Sequence, residues 1–450
     1  MKNLLPLLFG FCLFPILSEA QTWTPVSYAD IPNDYFFVSM SVVDENIIWA
    51  AACEINSGTP VNANHLIKIL RTTDGGLTWS SYDVEEALGR ITWDIQALDA
   101  NTAWISSNRL EASDTRPLFK TTDGGETWEQ VELENMSGGV FVHFFDAQHG
   151  LVIRNARAAI TNDGGDNWIT VPILNWPLAT GEICLFWCNG SNHNAYFGSH
   201  AWVGTSAGRV LHSTDYGWTW TPTQVGLTTE NINNVAFSDT LHGVATISDN
   251  GSSFYTETKL METFDGGTTW TQAAAAPINV VTSLVSVPGV PNTFVAGNCI
   301  EDASDLNTIA WNQNGMEASS WMYSKDDIFY TNHIEFISPT VGYVAGYYED
   351  GTNAILKWNG DLTPVNAHEV SPPELSLAIT PNPANDYIRF DIADDTGGPY
   401  HLKLTDAAGQ GVVNTTTTNQ ELNISHLPSG MYFLKVEEGE RIAMTKVIKL

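Results

Sequence analysis

Short apolar, β-branched runs recur along the first 360 residues, and each is followed by a turn containing Asp or Pro and by a second short apolar run. Runs of this length, bounded by turn residues, are typical of β-strands. The pattern therefore predicts an all-β chain built from repeated strand–turn–strand units. These units lie at residues 95–99 with 103–105, 142–146 with 150–153, 235–239 with 243–245, and in weaker form at 42–44 with 48–50, 284–287 with 294–296, and 335–338 with 342–346.

An octapeptide that ends in Trp separates these strand pairs. It occupies residues 72–79, 121–128, 161–168, 213–220 and 263–270, and its aspartates are 40 to 52 residues apart. The Asp can accept hydrogen bonds from N–H groups of its own tight turn, a Gly can adopt positive φ, and the Trp can pack between sheets. We therefore interpret the octapeptide as a fold device. Its key residues are Asp74 and Trp79, Asp123 and Trp128, Asp163 and Trp168, Asp215 and Trp220, and Asp265 and Trp270.

The repeat length points to one architecture. Residues 311–321 and 355–360 stand where a sixth and a seventh octapeptide belong, so the sequence predicts seven units. Units of 40 to 52 residues with about four short strands each match the blades of a β-propeller. The octapeptide resembles the Asp-box of BNR-like propellers, a superfamily that includes sialidases, xyloglucan hydrolases, sortilin-type receptors and photosystem II assembly factors. The resemblance implies a seven-bladed Asp-box propeller over residues 21–360, but it does not choose a chemistry.

A second domain follows a Pro-containing stretch at residues 361–374, which predicts a linker. Residues 375–450 alternate apolar and polar positions with period two, which predicts a small antiparallel β-sandwich. This segment resembles the type A C-terminal sorting domain of the type IX secretion pathway of Bacteroidota-type bacteria. The residues that carry this resemblance include Pro381, Asn382, Pro383, Gly409, Gly430, Tyr432 and Lys446.

The two ends of the chain predict export. Residues 1–20 combine a basic start, an apolar stretch of about 14 residues and small residues before Gln21, as in a cleaved signal peptide. No later stretch is apolar for long enough to span a bilayer. The sorting-domain resemblance implies that the type IX machinery and its sortase-like peptidase are partners. The protein is then expected to be extracellular or attached to the outer-membrane surface.

Charge excludes two classes of partner. Acidic residues outnumber Lys and Arg 51 to 19, which gives a net charge of −32. Such a surface repels nucleic-acid backbones and anionic lipid headgroups. Four cysteines remain after residue 20, namely Cys53, Cys184, Cys188 and Cys299. Because Cys184 and Cys188 are four apart in an apolar run, too far to bridge along one strand, we predict free, buried cysteines.

Candidate chemistry is sought opposite the octapeptides, because loops on that rim surround the mouth of the propeller channel. The Arg-Ile-Pro signature of sialidases is absent. A two-carboxylate glycoside hydrolase stays open as the alternative function. Acidic pairs such as Glu301-Asp302 and Asp326-Asp327 are frequent, but sequence does not report the distance between carboxylates. No loop matches a calcium signature, and we predict no metal and no cofactor.

An aromatic stretch between residues 174 and 202 is the leading candidate for a binding surface. Aromatic rings stack on sugar C–H groups, while amide and imidazole groups bond hydroxyls. The alternative is that these rings pack between sheets. The sequence therefore favours a non-catalytic protein- or glycan-binding module, followed by a hydrolase and then by a purely structural surface component. The candidate ligand-binding residues are Trp176, Trp187, Asn189, His193, Tyr196 and Trp202.

Overall fold

The computed structural model describes residues 22–26, 31–32, 35–54, 65–108, 118–134, 136, 141–184, 193–249, 259–273, 281, 283–298, 309–312, 321–324, 329–363, 377–392, 397–406, 411–438 and 441–450. The predicted signal peptide, most of the predicted linker, Cys188, Cys299 and Gly409 lie outside these ranges. The chain divides into two compact units, with the boundary along the sequence between Thr363 and Pro364.

The first unit contains seven four-stranded antiparallel sheets within its described residues. Among the described residues of this unit, the helical element is one short 3-10 helix, Glu85–Ala87. Sheet 1 consists of β2 (Tyr35–Val42), β3 (Ile48–Glu54), β4 (Lys68–Thr72) and β5 (Ser80–Asp83). Sheet 2 consists of β6 (Ile91–Ala97), β7 (Ala103–Asn108), β8 (Leu118–Thr121) and β9 (Glu129–Val131). Sheet 3 consists of β10 (Phe141–Phe144), β11 (Gly150–Arg154), β12 (Arg157–Thr161) and β13 (Ile169–Thr170).

Sheets 4 to 6 repeat the same order. Sheet 4 consists of β14 (Asn194–Phe197), β15 (His200–Gly204), β16 (Arg209–Ser213) and β17 (Thr221–Gln224). Sheet 5 consists of β18 (Glu230–Phe237), β19 (Gly243–Asp249), β20 (Lys259–Thr263) and β21 (Thr271–Gln272). Sheet 6 consists of β22 (Ser283–Ser286), β23 (Phe294–Gly297), β24 (Ala310–Asn312) and β25 (Trp321–Tyr323).

Sheet 7 is built from both ends of the unit. Its first three strands are β26 (Phe329–Ser338), β27 (Val341–Tyr348) and β28 (Asn353–Asn359), and its fourth is β1 (Thr22–Pro25). Trp23 of β1 is in register with Trp358 of β28, and the two indoles pack with centroids 5.1 Å apart. The amino-terminal strand therefore completes the sheet formed by the end of the unit.

Apolar clusters join the sheets into a cycle. Each buried cluster of the first unit contains side chains from two consecutive sheets, as with Trp49 of sheet 1 and Phe119 of sheet 2. One cluster combines Phe37 of sheet 1 with Tyr343 of sheet 7. Burial of apolar area is worth about 25 cal/mol per Å², so these contacts between sheets supply the main driving force for assembly. The first strand of each sheet, here called the inner strand, adjoins inner strands of neighbouring sheets.

The octapeptides form the turns between the third and fourth strands of sheets 1 to 5. In the first copy, Asp74 Oδ1 accepts the N–H of Thr78 at 2.9 Å and the Thr72 hydroxyl at 2.8 Å, while Asp74 Oδ2 accepts the Thr78 hydroxyl at 2.6 Å. Gly75 has φ +73° and donates its N–H to Asn46 O in the neighbouring turn of the same sheet. The Asp74 carboxylate and the Gly75 N–H therefore both hold this turn by hydrogen bonds.

The third octapeptide keeps its bonds although Asn167 replaces the usual Thr. Asn167 Nδ2 donates to Asp163 Oδ2 at 2.7 Å, which reproduces the hydroxyl bond of the other copies. The closing tryptophans join the clusters between sheets. Trp128 and Trp220 are buried, and Trp220 Nε1 donates to Gly217 O at 2.7 Å. Trp128 and Trp220 therefore pack between neighbouring sheets.

Scarce cations also link neighbouring sheets. Arg71 of β4 donates from Nη1 to Ala100 O of sheet 2 at 2.7 Å and covers the Trp49 ring. Lys120 of β8 likewise covers Trp104 and donates to Gly164 O of sheet 3 at 3.1 Å. A Cβ on Gly124 would lie 1.8 Å from Arg71 Nη1, so the octapeptide glycine makes room for the cation. The buried Cys53 and Cys184 are free thiols, as predicted.

The second unit contains two antiparallel sheets in its described part. One consists of β29 (Leu377–Thr380), β30 (Tyr387–Ile392) and β33 (Glu421–Asn423), and the other of β31 (Tyr400–Asp406), β32 (Gly411–Thr417), β34 (Gly430–Glu438) and β35 (Arg441–Lys449). Both sheets contribute to one buried cluster that includes Phe390 and Leu434.

The predicted sorting-motif residues hold the last strand of this unit. Asn382 Nδ2 donates to Lys446 O at 2.7 Å, and Asn382 Oδ1 accepts the N–H of Ile448 at 2.8 Å. Tyr432 is buried, and its hydroxyl donates to Pro428 O at 2.8 Å. Gly430 begins β34, whereas Pro381 and Pro383 flank Asn382 in the loop after β29. The motif therefore has a structural role in docking β35.

Candidate functional site

A cavity of about 230 Å³ lies between the inner strands of sheets 1, 2, 3, 4 and 7. Its lining combines two carboxylates, three imidazoles and several aromatic and hydroxyl groups. None of the described residues that line it is Lys or Arg. The cavity is therefore acidic and aromatic, and it lies where the inner strands meet.

β-Bulges place polar side chains on the inner strands. The pairing of first and second strands shifts register immediately before Ser39, Asp94, Asn234 and His333, in sheets 1, 2, 5 and 7. A bulge adds one unpaired residue and re-aims the side chains beside it. Asn234 shows the structural use of this position, because its Nδ2 donates to Val281 O near the start of sheet 6 at 3.1 Å. Polar groups after the bulges thus connect neighbouring sheets.

Asp94 makes the same kind of connection with a charged group. Its Oδ2 accepts the N–H of Val142 in sheet 3 at 3.1 Å, and its Oδ1 accepts the Ser39 hydroxyl of sheet 1 at 2.9 Å. Burial raises the pKa of Asp94 to about 6, although these hydrogen bonds and the nearby His333 act in the opposite direction. Desolvation of the carboxylate thus outweighs its hydrogen bonds. Asp94 is therefore a carboxylate whose ionisation the fold opposes.

Glu335 is the second carboxylate of the cavity. Its Oε2 accepts the N–H of Val42 in sheet 1 at 2.9 Å and lies 3.9 Å from His333 Nε2. Within the described residues, no donor contacts Glu335 Oε1. One oxygen of Glu335 thus connects sheets 7 and 1, and the other is available to a ligand.

Histidines and aromatic rings form another part of the lining. His143 stacks on Tyr196 with centroids 3.6 Å apart and planes 6° apart. Burial lowers the pKa of His143 to about 3, so the ring is neutral at pH 7. Neither nitrogen of this ring is hydrogen-bonded within the part of the chain that the structure describes. His193 Nδ1 donates to Asn233 O at 2.6 Å, which fixes that imidazole.

The structure separates the six predicted ligand-binding residues into three groups. His193 and Tyr196 line the cavity. Trp176 and Trp202 are 2% and 0% exposed, which corrects the prediction that they form a stacking surface. Trp176 packs edge-on against Trp220, and Trp202 stacks on Phe237 with its Nε1 donating to Gly266 O. Trp187 and Asn189 lie outside the described residues.

Asp94 and Glu335 were not singled out by sequence reasoning as a pair. They lie on strands of sheets 2 and 7, and only the packing of sheets 2 and 7 on either side of sheet 1 brings them to one cavity. The available signal was an acidic residue with an apolar neighbour on each side within an inner strand, as at Asp94 and Glu335. The acidic pairs Glu301-Asp302 and Asp326-Asp327 lie outside the described residues. No group of three or more His, Cys, Asp or Glu side chains placed to hold a metal ion occurs among the residues described.

Comparison with known proteins identifies the tail. Residues 378–450 match the model of the secretion system C-terminal sorting domain. This tail implies handling by the type IX secretion system and export to the cell surface or extracellular space. Across the described residues, we find no helix long and apolar enough to cross a membrane. No curated protein sequence matches the chain.

Solved structures identify the fold of the first unit. The chain is similar to YCF48 bound to D1 peptide (18% identity, TM-score 0.51, covering 75% of this chain and 97% of that one). It is also similar to YCF48 from Cyanidioschyzon merolae (16% identity, TM-score 0.50, covering 75% of this chain and 98% of that one). A third similar structure is the GH74 xyloglucanase from Xanthomonas campestris (11% identity, TM-score 0.50, covering 94% of this chain and 81% of that one). At these identities the likeness concerns the fold alone, which is a β-propeller.

Proposed function

We propose that this protein is a secreted or surface-attached, seven-bladed Asp-box propeller that binds an extracellular protein or glycan without transforming it. The seven cyclically packed sheets and five bonded octapeptide turns support the blade count and the family resemblance. The two sheets that share a core in the second unit support a sorting sandwich. In this proposal residues 1–20 are a signal peptide, and a sortase-like peptidase cleaves within residues 361–374.

The use of the two cavity carboxylates is the observation that carries this proposal. Asp94 and Glu335 each accept a backbone N–H of a neighbouring inner strand, at 3.1 and 2.9 Å. A hydrolase of this type needs two carboxylates that flank a sugar and are free to exchange protons or attack. The cavity of about 230 Å³ also lies below the roughly 300–1,000 Å³ of pockets that enclose a drug-sized ligand. These features favour recognition of a small protruding group, with His193 and Tyr196 among its contacts.

A two-carboxylate glycoside hydrolase is the second candidate. It is favoured by the raised pKa of Asp94, about 6, in a cavity that a second carboxylate, Glu335, also lines. Pairs of carboxyl groups in different environments are how glycosidases divide the acid and nucleophile roles. The fold does not choose between the candidates, because propellers host both kinds of function.

Turnover and binding are measured on the same protein. The full chain and its D94N and E335Q variants are tested against a polysaccharide panel for release of reducing sugar, and against glycan arrays and extracellular proteins for saturable binding. The exposed Glu349 provides a matched control of equal charge change, E349Q. Binding without turnover, weakened in D94N and E335Q but not in E349Q, is the expected result. Sugar release that disappears in D94N would replace the proposal with the hydrolase.

A further inference from the structure

The charge of Asp94 exceeds what the fold requires at that position. Asn234 occupies the equivalent place after the bulge in sheet 5 and connects to the next sheet through an amide. An amide at position 94 could likewise accept the Val142 N–H and donate to Ser39 Oγ. A carboxylate is therefore retained where a neutral side chain would make the same connections, although burial opposes its ionisation. A residue that works against stability while facing a cavity points to a role in binding.

The second carboxylate faces the same space. Glu335 Oε1 is open to a ligand, and the described lining contains no Lys or Arg; the basic group beside Glu335 is His333, whose Nε2 lies 3.9 Å from Glu335 Oε2. The protein as a whole carries a net charge of −32, and a cleft of one sign focuses that field on ligands of the opposite sign. The cavity therefore favours a positively charged group.

The walls define what kind of cation fits. Trp93, Phe141 and the stacked pair of His143 and Tyr196 line the space beside the carboxylates. Aromatic faces attract ammonium groups and cover alkyl chains. His143 is neutral and has no hydrogen-bond partner among the described residues, so a ring nitrogen can accept from an ammonium. A metal ion fits poorly, because the described residues include no cluster of three metal-binding side chains.

The size of the cavity limits how the cation can be attached. A volume of about 230 Å³ admits one side chain and excludes a folded segment. An ammonium at the end of a flexible four-carbon stem can reach a recessed carboxylate, whereas an amine fixed directly to a sugar ring would require the ring to enter. We infer that the cavity formed by Asp94, Glu335, His143 and Tyr196 binds the ammonium group of a lysine side chain presented by an extracellular polypeptide. This inference rests on the proposed binding function.

A capped peptide pair tests the chemistry directly. The full chain is titrated with a fluorescent, amino-terminally acetylated and carboxyl-amidated peptide that contains one Lys among Gly and Ser residues. The matched peptide carries Nε-acetyllysine instead. We expect saturable binding of the Lys peptide at an ionic strength of about 0.1 M and at least tenfold weaker binding of the acetylated one. Equal binding of the two peptides, or no binding of the Lys peptide, would overturn the inference.

Variants locate the site and separate this inference from the proposed function. D94N and E335Q should each lower the affinity for the Lys peptide at least tenfold, and E349Q should leave this affinity unchanged. Melting curves establish that each variant is folded. Loss of affinity in E349Q to the same extent would show attraction to net charge alone and would overturn the site. If a lysine-free peptide with a free amino terminus binds more tightly than the capped Lys peptide, the cavity recognises the α-amino group of a polypeptide instead of a lysine side chain. If extracellular ligands bind at the cavity but acetylation of their lysines has no effect, the binding function stands and the lysine assignment fails.

Discussion

Substitution of Asp94 by Asn should stabilise the propeller at neutral pH. The carboxylate accepts hydrogen bonds from Val142 and Ser39, and an amide in the same position can accept the first and donate to the second. Asn234 is an amide at the same place after a bulge, where its Nδ2 donates to Val281 O near the start of sheet 6. The substitution therefore keeps both connections between sheets and removes only the charge, so its effect reports the cost of burying that charge.

The size and pH dependence of this effect follow from the pKa. Burial raises the pKa of Asp94 from 3.8 to about 6. Because each pKa unit is worth about 1.4 kcal/mol, ionisation costs the folded state about 3 kcal/mol above pH 6. The folded protein binds the proton of Asp94 more tightly than the unfolded chain does. The free energy of unfolding of the wild type therefore falls as pH rises from 3.8 to 6. Below pH 3.8 the two proteins should differ little on this account.

Thermal melting of both proteins between pH 4 and pH 8 measures the difference. The melting temperature of D94N minus that of the wild type should be near zero at pH 4 and should rise to roughly 5 °C at pH 7. E349Q controls for the change in net charge and should follow the wild type at every pH. A difference that is constant across this range, or that falls as pH rises, would refute the assignment of a buried, reluctantly ionised carboxylate.

Three further predictions concern the turns and the tail. In urea unfolding, Gly124→Ala should lower the stability of the propeller by more than Gly351→Ala. Both glycines have φ near +80°, so each substitution should cost about 1–2 kcal/mol of backbone strain. Gly124→Ala should cost more because only there would the new Cβ meet Arg71. Asn167→Thr should leave the melting temperature within about 2 °C of the wild type, because Thr can bond Asp163 as in the other copies, whereas Asn167→Val should lower it; equal values for the two variants would contradict the assigned bond. Asn382→Ala should cost the second unit about 1–2 kcal/mol through two lost bonds to β35 and should reduce the exported fraction in the culture medium, with the exposed Asn419→Ala as control; undiminished export would separate the motif from strand docking.

The repeated parts of the fold were predictable because their signals are local. Asp74 and Thr78 lie four residues apart, so the bonds of the octapeptide are encoded within one turn and are legible in each copy. The strand pairs are likewise set by short apolar runs and the turns between them. Asn382 was legible as a motif residue, but its partners in β35 were not, because they lie more than sixty residues later in the chain.

The candidate site was less predictable because it depends on contacts between distant strands. Trp202 and Tyr196 are six residues apart in one aromatic stretch, yet Trp202 enters a core cluster while Tyr196 faces the cavity. Adjacent positions on a strand point to opposite faces, and a bulge reverses that alternation. The bulges before Asp94 and His333 have no residue signature of their own in this chain. The convergence of Asp94 and Glu335 therefore follows from the closed arrangement of sheets and not from any local pattern.

The composite seventh sheet has a consequence for how the protein reaches its destination. Its outer strand comes from residues 22–25 and its other strands from residues 329–359, so no shorter fragment can seal the circle. A polypeptide threaded through a pore amino end first would present sheets 1 and 6 with uncovered apolar flanks until the final segment arrived. The segment beyond Thr363 contributes none of the strands described in the seven sheets of the first unit. Cleavage after Thr363 would therefore leave every described strand of this closed arrangement in place.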